Sequence, residues 1–99
     1  MPTQPITVTA RLKVKAGLEP EVKKELMALV PLSRADAGCL GYDLHQAAED
    51  PAGFLFYESW QSREHLDAHL QTPHLKSFLA RVNQWVAEPV QIAIWNKLS

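Results

Sequence analysis

Gly53 to His74, GFLFYESWQSREHLDAHLQTPH, joins an aromatic strand to a histidine-bearing helix, and its reading decides the fold. Side chains alternate along a strand, so Phe54, Phe56, Glu58 and Trp60 face one way while Leu55, Tyr57 and Ser59 face the other. Both faces then carry bulky apolar groups. Such a strand needs cover on both sides, by helices of its own chain and by a second copy, which predicts a central strand. Ser62 is placed to cap a helix over Arg63 to Leu70, with Glu64 near the positive end of its dipole. Leu66 and Leu70 are the inward pair. His65 and His69 share a helix face, and His69 falls at the margin of the apolar stripe, a half-buried position. Thr72 caps a second helical segment, with Pro73 at the first helical position, where its missing N–H costs nothing.

Outward from this stretch, Ile6 to Val14 alternates strictly, with Ile6, Val8, Ala10, Leu12 and Val14 on one side. Ala10 is the one small residue in that row; it either accommodates a large neighbour such as Trp60 or Phe78, or leaves a pocket floor. Gly17 ends this strand, and Glu19-Pro20-Glu21 opens a helix whose buried stripe is Val22, Leu26, Leu29 and Val30. Pro31 is expected to kink it before it ends near Arg34. Asp36-Ala37-Gly38 reads as a turn, and Cys39 to Gln46 as a second strand with Leu40, Tyr42 and Leu44 on one side. His45 is a surface residue of that strand. Ala47 to Ala52 makes the loop into the aromatic strand. After Pro73, Leu75, Phe78, Leu79, Val82, Trp85 and Val86 recur at helical spacing, and Glu88-Pro89 stops the helix. Val90, Ile92 and Ile94 then alternate with Gln91, Ala93 and Trp95 in a last strand, with Trp95 expected to meet a partner subunit. The order β-α-β-β-α-β is that of an α+β, ferredoxin-like single domain over residues 1–99, with one antiparallel sheet backing two helical layers.

Composition narrows the function. The chain has 99 residues, 46% hydrophobic and 21% charged, which suits one domain with a modest core that a second chain would help to cover. A net charge of −1 without a basic block disfavours nucleic acid and anionic membranes as partners. The single Cys39 and the lack of a leader in Met1 to Pro5 predict a cytoplasmic protein. No apolar run approaches the roughly 18 residues of a membrane span. The aromatic strand FLFYESW lacks the interleaved basic and aromatic residues of an RNA-recognition strand. His65 and His69 are spaced to share a metal, with Glu58 or His74 as a third ligand, yet Leu66 follows His65 and the HExxH pattern is absent. No metal is expected.

Gly38-Cys39-Leu40-Gly41-Tyr42, Phe56-Tyr57-Glu58-Ser59-Trp60 and His65-Leu66-Asp67-Ala68-His69-Leu70-Gln71-Thr72-Pro73-His74 together resemble the antibiotic biosynthesis monooxygenase family over nearly the whole chain. The E-x-W and H-L-x-x-H-x-x-T-P-H portions look most like its quinol monooxygenase branch. The resemblance implies a homodimer in which two ferredoxin-like sheets form a dimeric α+β barrel. It leaves the substrate open, since relatives include oxygenases of polycyclic phenols, haem-degrading enzymes and isomerases of small keto compounds. Where the haem-degrading branch has its Asn, Trp and His, this chain has Ala10, His69 and Leu79, so haem is not expected.

What the resemblance then implies is oxygenation without a cofactor, which requires a substrate that itself donates an electron to O₂, as a deprotonated hydroquinone does. His69 is the expected base, because histidine exchanges protons near neutral pH. Trp60 and His74 join it as candidate catalytic residues, the former also expected to hold the ring. Tyr57, Glu58, His65, Phe78 and Ala10 are the candidate substrate-binding residues. Glu58 shares a row with Phe56 and Trp60, where a carboxylate needs a partner, and a structural pairing is expected. An isomerase of a small keto compound and a non-catalytic binder of aromatic metabolites are the alternative functions.

Overall fold

The computed structural model describes residues 4–99; residues 1–3, part of the stretch read for a leader, lie outside the described residues. Strands β1 (Ile6–Lys13), β2 (Cys39–Gln46), β3 (Gly53–Trp60) and β4 (Gln91–Asn96) form one antiparallel sheet in the order β2-β3-β1-β4. Helices α1 (Glu19–Arg34), α2 (Arg63–Leu70) and α3 (Pro73–Trp85) complete a ferredoxin-like βαββαβ domain in which the second crossover is two consecutive helices. Among the described residues no helix is long and apolar enough to cross a membrane.

β3 is central, and its pairing with β1 explains the core. Ile6 lies opposite Trp60, Val8 opposite Glu58, Ala10 opposite Phe56 and Leu12 opposite Phe54. Partners across an antiparallel pair share a face, so these rows make one surface, which the helices cover through Val22, Leu26, Leu66, Leu75, Phe78 and Val82. The other face carries Thr7, Thr9, Arg11, Leu55, Tyr57 and Trp95 and is bare among the described residues of the single chain. Tyr57 is 48% and Trp95 54% exposed. Trp95 Nε1 donates to Thr9 Oγ1 across 2.9 Å, which lays the indole over this face.

The caps act where the sequence places them. Ser62 Oγ accepts from the His65 N–H at 3.3 Å, and Thr72 Oγ1 from the Leu75 N–H at 3.4 Å. Three expectations need correction. A register shift between Cys39 and Gly41 makes Leu40 an extra residue, so it turns outward to 60% exposure while Cys39 packs against the core. In α1 the fully buried stripe ends in Ser33 rather than Val30, while the helix continues past Pro31 to Arg34 as the sequence implies. Pro31 is on the solvent side of the helix, where losing its N–H leaves no buried group without a partner. Leu79, Ile92 and Ile94 are exposed because the helical layer stops short of β4.

Gly38 has φ +79, and a Cβ there would stand 2.2 Å from His65 Cγ. Gly17 has φ +93 with nothing within 4 Å. Gly38→Ala therefore adds overpacking, costing about 1–3 kcal/mol, to the left-handed backbone penalty of about 1–2 kcal/mol that is all Gly17→Ala incurs. Urea denaturation of the two variants is expected to show Gly38→Ala clearly the less stable.

Candidate active site

A cavity of about 330 Å³ lies between the covered sheet face and helices α2 and α3, towards the β4 edge. Val8, Ala10 and Phe56 line it from the sheet; Leu66, Leu75, Phe78 and Val82 line it from the helices. Three polar groups, Tyr42, Glu58 and His69, interrupt these walls, with Arg63 and Asn83 also on its lining. The size is at the lower end of small-molecule sites, and an apolar chamber with a few convergent polar groups is their usual form. Larger, more open depressions lie along α1 beside Met27 and Arg34, and on the bare sheet face around Arg11 and His45. Neither has a buried acid or base on its lining.

His69 is only 2% exposed, more deeply buried than the margin of the stripe implied. α2 turns Leu66 and His69 inward, three residues apart, and the imidazole lies against Trp60 with ring centroids 4.4 Å apart and planes 33° apart. Tyr42 meets it edge-on at 5.6 Å. Its Nδ1 is 2.7 Å from Asp36 Oδ2, and the same oxygen is 2.9 Å from His74 Nε2. Asp36 sits in the turn after α1, where its own N–H donates to the Ser33 carbonyl and its carbonyl accepts from the Cys39 N–H.

The hydrogen bonds assign the protons. Thr72 Oγ1 donates to the His69 carbonyl at 2.7 Å, so toward His74 Nε2, 3.2 Å away, it accepts. His74 Nε2 therefore carries a proton and donates to Asp36. Burial lowers the pKa of His69 against the opposing pull of Asp36, which keeps the imidazole neutral with its proton on Nδ1. Nε2 then holds a lone pair, makes no hydrogen bond among the described residues and is not among the fully occluded polar atoms. It is the free end of a base whose other end is anchored.

Glu58 is 6% exposed, and its Oε1 accepts from Trp60 Nε1 at 3.0 Å. Burial raises its pKa from 4.5 to about 7, and the Trp60 bond only partly offsets this. Tyr42 is also pushed well up by burial and stays protonated. Acid and base are thus displaced toward each other, Glu58 upward and His69 downward, so near neutral pH His69 is neutral while Glu58 keeps its proton on a large share of molecules, and on most of them below pH 7.

The residues singled out from sequence fall in several places. His69, Glu58, Phe78 and Ala10 line the cavity. Trp60 does not: it is fully buried, its N–H is taken by Glu58, and it stacks on the imidazole, so its effect on a ligand runs through those two groups. His74 opens instead into a cleft between α1 and α3 beside Leu29, Leu32 and Arg81, and holds Asp36 from that side. His65 is tied to the Ser62 hydroxyl at 2.7 Å, and Tyr57 lies on the opposite sheet face. Asp36 and Tyr42 were read only as turn and strand residues. A histidine on an apolar stripe requires a buried partner, but a partner 33 residues away carries no local signal.

Asp36, His69 and His74 also bring one donor atom each within 4.8 Å of one another, a different set from the expected His65 and His69 pair. Tetrahedral ligation at about 2.0 Å spaces donor atoms about 3.3 Å apart. The separations of 2.7 and 2.9 Å are those of hydrogen bonds to a shared carboxylate, which account for all three groups.

The raised Glu58 pKa has a stability consequence with a definite sign. A carboxyl at about 7 when folded and 4.5 when unfolded makes the folded state hold its proton longer, so stability is lost as pH rises through that interval. The full effect is on the order of 3 kcal/mol. Glu58→Gln is expected to match the parent near pH 4.5 and to exceed it by up to that amount at pH 8, as measured by chemical denaturation at both values.

Known proteins share this chain's sequence and fold. An uncharacterized protein of Synechocystis, sll1783, is 35% identical over 95 residues, 92% of this chain, and the chain spans 62% of that protein's length. The probable quinol monooxygenase YgiN of Escherichia coli is 30% identical over 93 residues, covering 84% of this chain and 89% of that protein. The crystal structure of PA3566 from Pseudomonas aeruginosa superposes with a TM-score of 0.92 at 33% identity, covering 100% of this chain and 99% of that one. With its family model matching residues 5–81, the chain belongs to the antibiotic biosynthesis monooxygenase family.

Proposed function

We propose that this protein is a monooxygenase that oxidises a quinol or related polyphenol with O₂, using no metal or organic cofactor, as a homodimer. The observation that carries the proposal is the cavity-lining His69, fixed at Nδ1 by Asp36 and free at Nε2. The name of the Escherichia coli relative supports the substrate class.

Nε2 takes the phenolic proton, and the Asp36 carboxylate stabilises the imidazolium that forms. The substrate anion is the electron donor to O₂. For a hydroquinone the balance is closed by substrate and oxygen alone. The ring gains one oxygen atom and loses two hydrogens, which leave with the second oxygen as water. A phenol with the pKa of tyrosine exceeds histidine's ordinary value by about 3.5 units, roughly 5 kcal/mol, and the burial of His69 widens that gap, so the developing phenolate needs a hydrogen-bond donor. The protonated Tyr42 hydroxyl and the Glu58 carboxyl are the cavity's candidates. The pairing of a neutral acid with a neutral base also favours a second reading, proton transfer on a small keto compound, which would proceed equally well without O₂.

The bare sheet face is the proposed dimer surface, since Tyr57, Trp95 and Leu55 lie on it with no cover from their own chain. Sedimentation velocity is expected to give twice the 11.1 kDa chain mass, and Trp95→Glu to shift the population toward monomer. A parent protein that sediments as a monomer at micromolar concentration rules the dimer out.

Oxygen uptake, corrected for spontaneous autoxidation of each substrate, tests the chemistry. His69→Ala is expected to lose about 10²- to 10⁴-fold in rate, and Asp36→Asn, whose amide can donate to Nδ1 and invert the tautomer, to fall in the same range. His45→Ala should match the parent. Full rate in folded His69→Ala defeats the assignment, and turnover under nitrogen favours the isomerase.

A further inference from the structure

The base accounts for one polar group of the cavity, and Glu58 is a second that needs a reason to be there. It stands in the middle of the covered sheet face, opposite Val8 on β1 and Tyr42 on β2. No lysine or arginine pairs with it among the described residues. The titratable groups around it are Tyr42 and His69, with Cys39 near Tyr42, and the cation on the cavity lining, Arg63, is held by Asp67 at 3.3 Å. Oε1 is engaged by Trp60, and Oε2 makes no hydrogen bond among the described residues and is not fully occluded. Trp60 thereby fixes both functional groups on one wall, Glu58 through its N–H and His69 through its ring face.

We infer that Glu58 offers the ligand a neutral carboxyl group, and that the cavity therefore selects uncharged hydroxy- or oxo-aromatic molecules and rejects the same rings bearing a carboxylate. The acid O–H donates to a ligand oxygen while the remaining oxygen stays with Trp60. A ligand carboxylate would enter an apolar chamber whose lining cation among the described residues, Arg63, stands at the solvent side paired with Asp67, beside a group that can itself become negative. This substrate class rests on the proposed quinol chemistry, but ligand binding reports on it separately from turnover.

The test is equilibrium binding under nitrogen of methylhydroquinone and of 2,5-dihydroxybenzoate, which carries a carboxylate on a comparable ring. At pH 6 the full chain is expected to bind the neutral probe at least tenfold more tightly. Its affinity for that probe is expected to fall several-fold by pH 8.5 as Glu58 ionises, while Glu58→Gln binds it with no such fall. Equal affinity for the two probes, which would seat the carboxylate at Arg63, overturns the inference. So does an unchanged pH dependence in Glu58→Gln, or the failure of the neutral probe to bind. The profile of the unsubstituted protein suffices if the variant does not fold. The expected binding pattern without O₂-dependent turnover would refute the oxygenase and leave the selectivity standing; turnover without discrimination would do the reverse.

Discussion

One carboxylate oxygen, Asp36 Oδ2, accepts from two imidazoles, and the geometry of the site depends on it. The bond to His69 crosses from the turn after α1 to the last residues of α2, and the bond to His74 reaches the first turn of α3. A shared acceptor of this kind joins three separate segments at one point. It also permits a histidine to be buried: without the carboxylate, His69 would lose its oriented tautomer along with its partner. Thr72 reinforces the same junction by capping α3, bonding the His69 carbonyl and standing within reach of His74.

The elements of the fold were legible because their causes are local. Alternation in ITVTARLK and GFLFYESW sets the faces of β1 and β3, while Ser62, Thr72 and Pro73 fix the starts of α2 and α3. Two local rules misled. The extra residue at Leu40 cannot be seen in a strand whose alternation reads equally well without it, and helical spacing alone gave no sign that the layer above β4 ends before Leu79. Both depend on what lies opposite, which one sequence does not state.

The candidate site was legible in part for the same reason. His69 could be selected from its position on a helix face, as could Ala10 from its size. The use made of Trp60 could not: an indole N–H in a core strand could serve a ligand or a neighbour, and the Glu58 side chain two residues before it occupies that N–H. Asp36 was hidden because its pairings span 33 and 38 residues. The electrostatic pairing of a raised acid with a lowered base follows from burial, which only the assembled core determines.

Ile92 and Ile94 form one wall of the cavity and belong to β4, which has a single neighbour within the chain. Edge strands with little cover sit at the low end of a protein's local stability. The wall at the β4 edge is thus the less covered side of the chamber, while His69 is anchored where three segments meet. The amides of 91–96 should then slow their hydrogen exchange when the chamber is filled, a report of occupancy from residues that take no part in the chemistry.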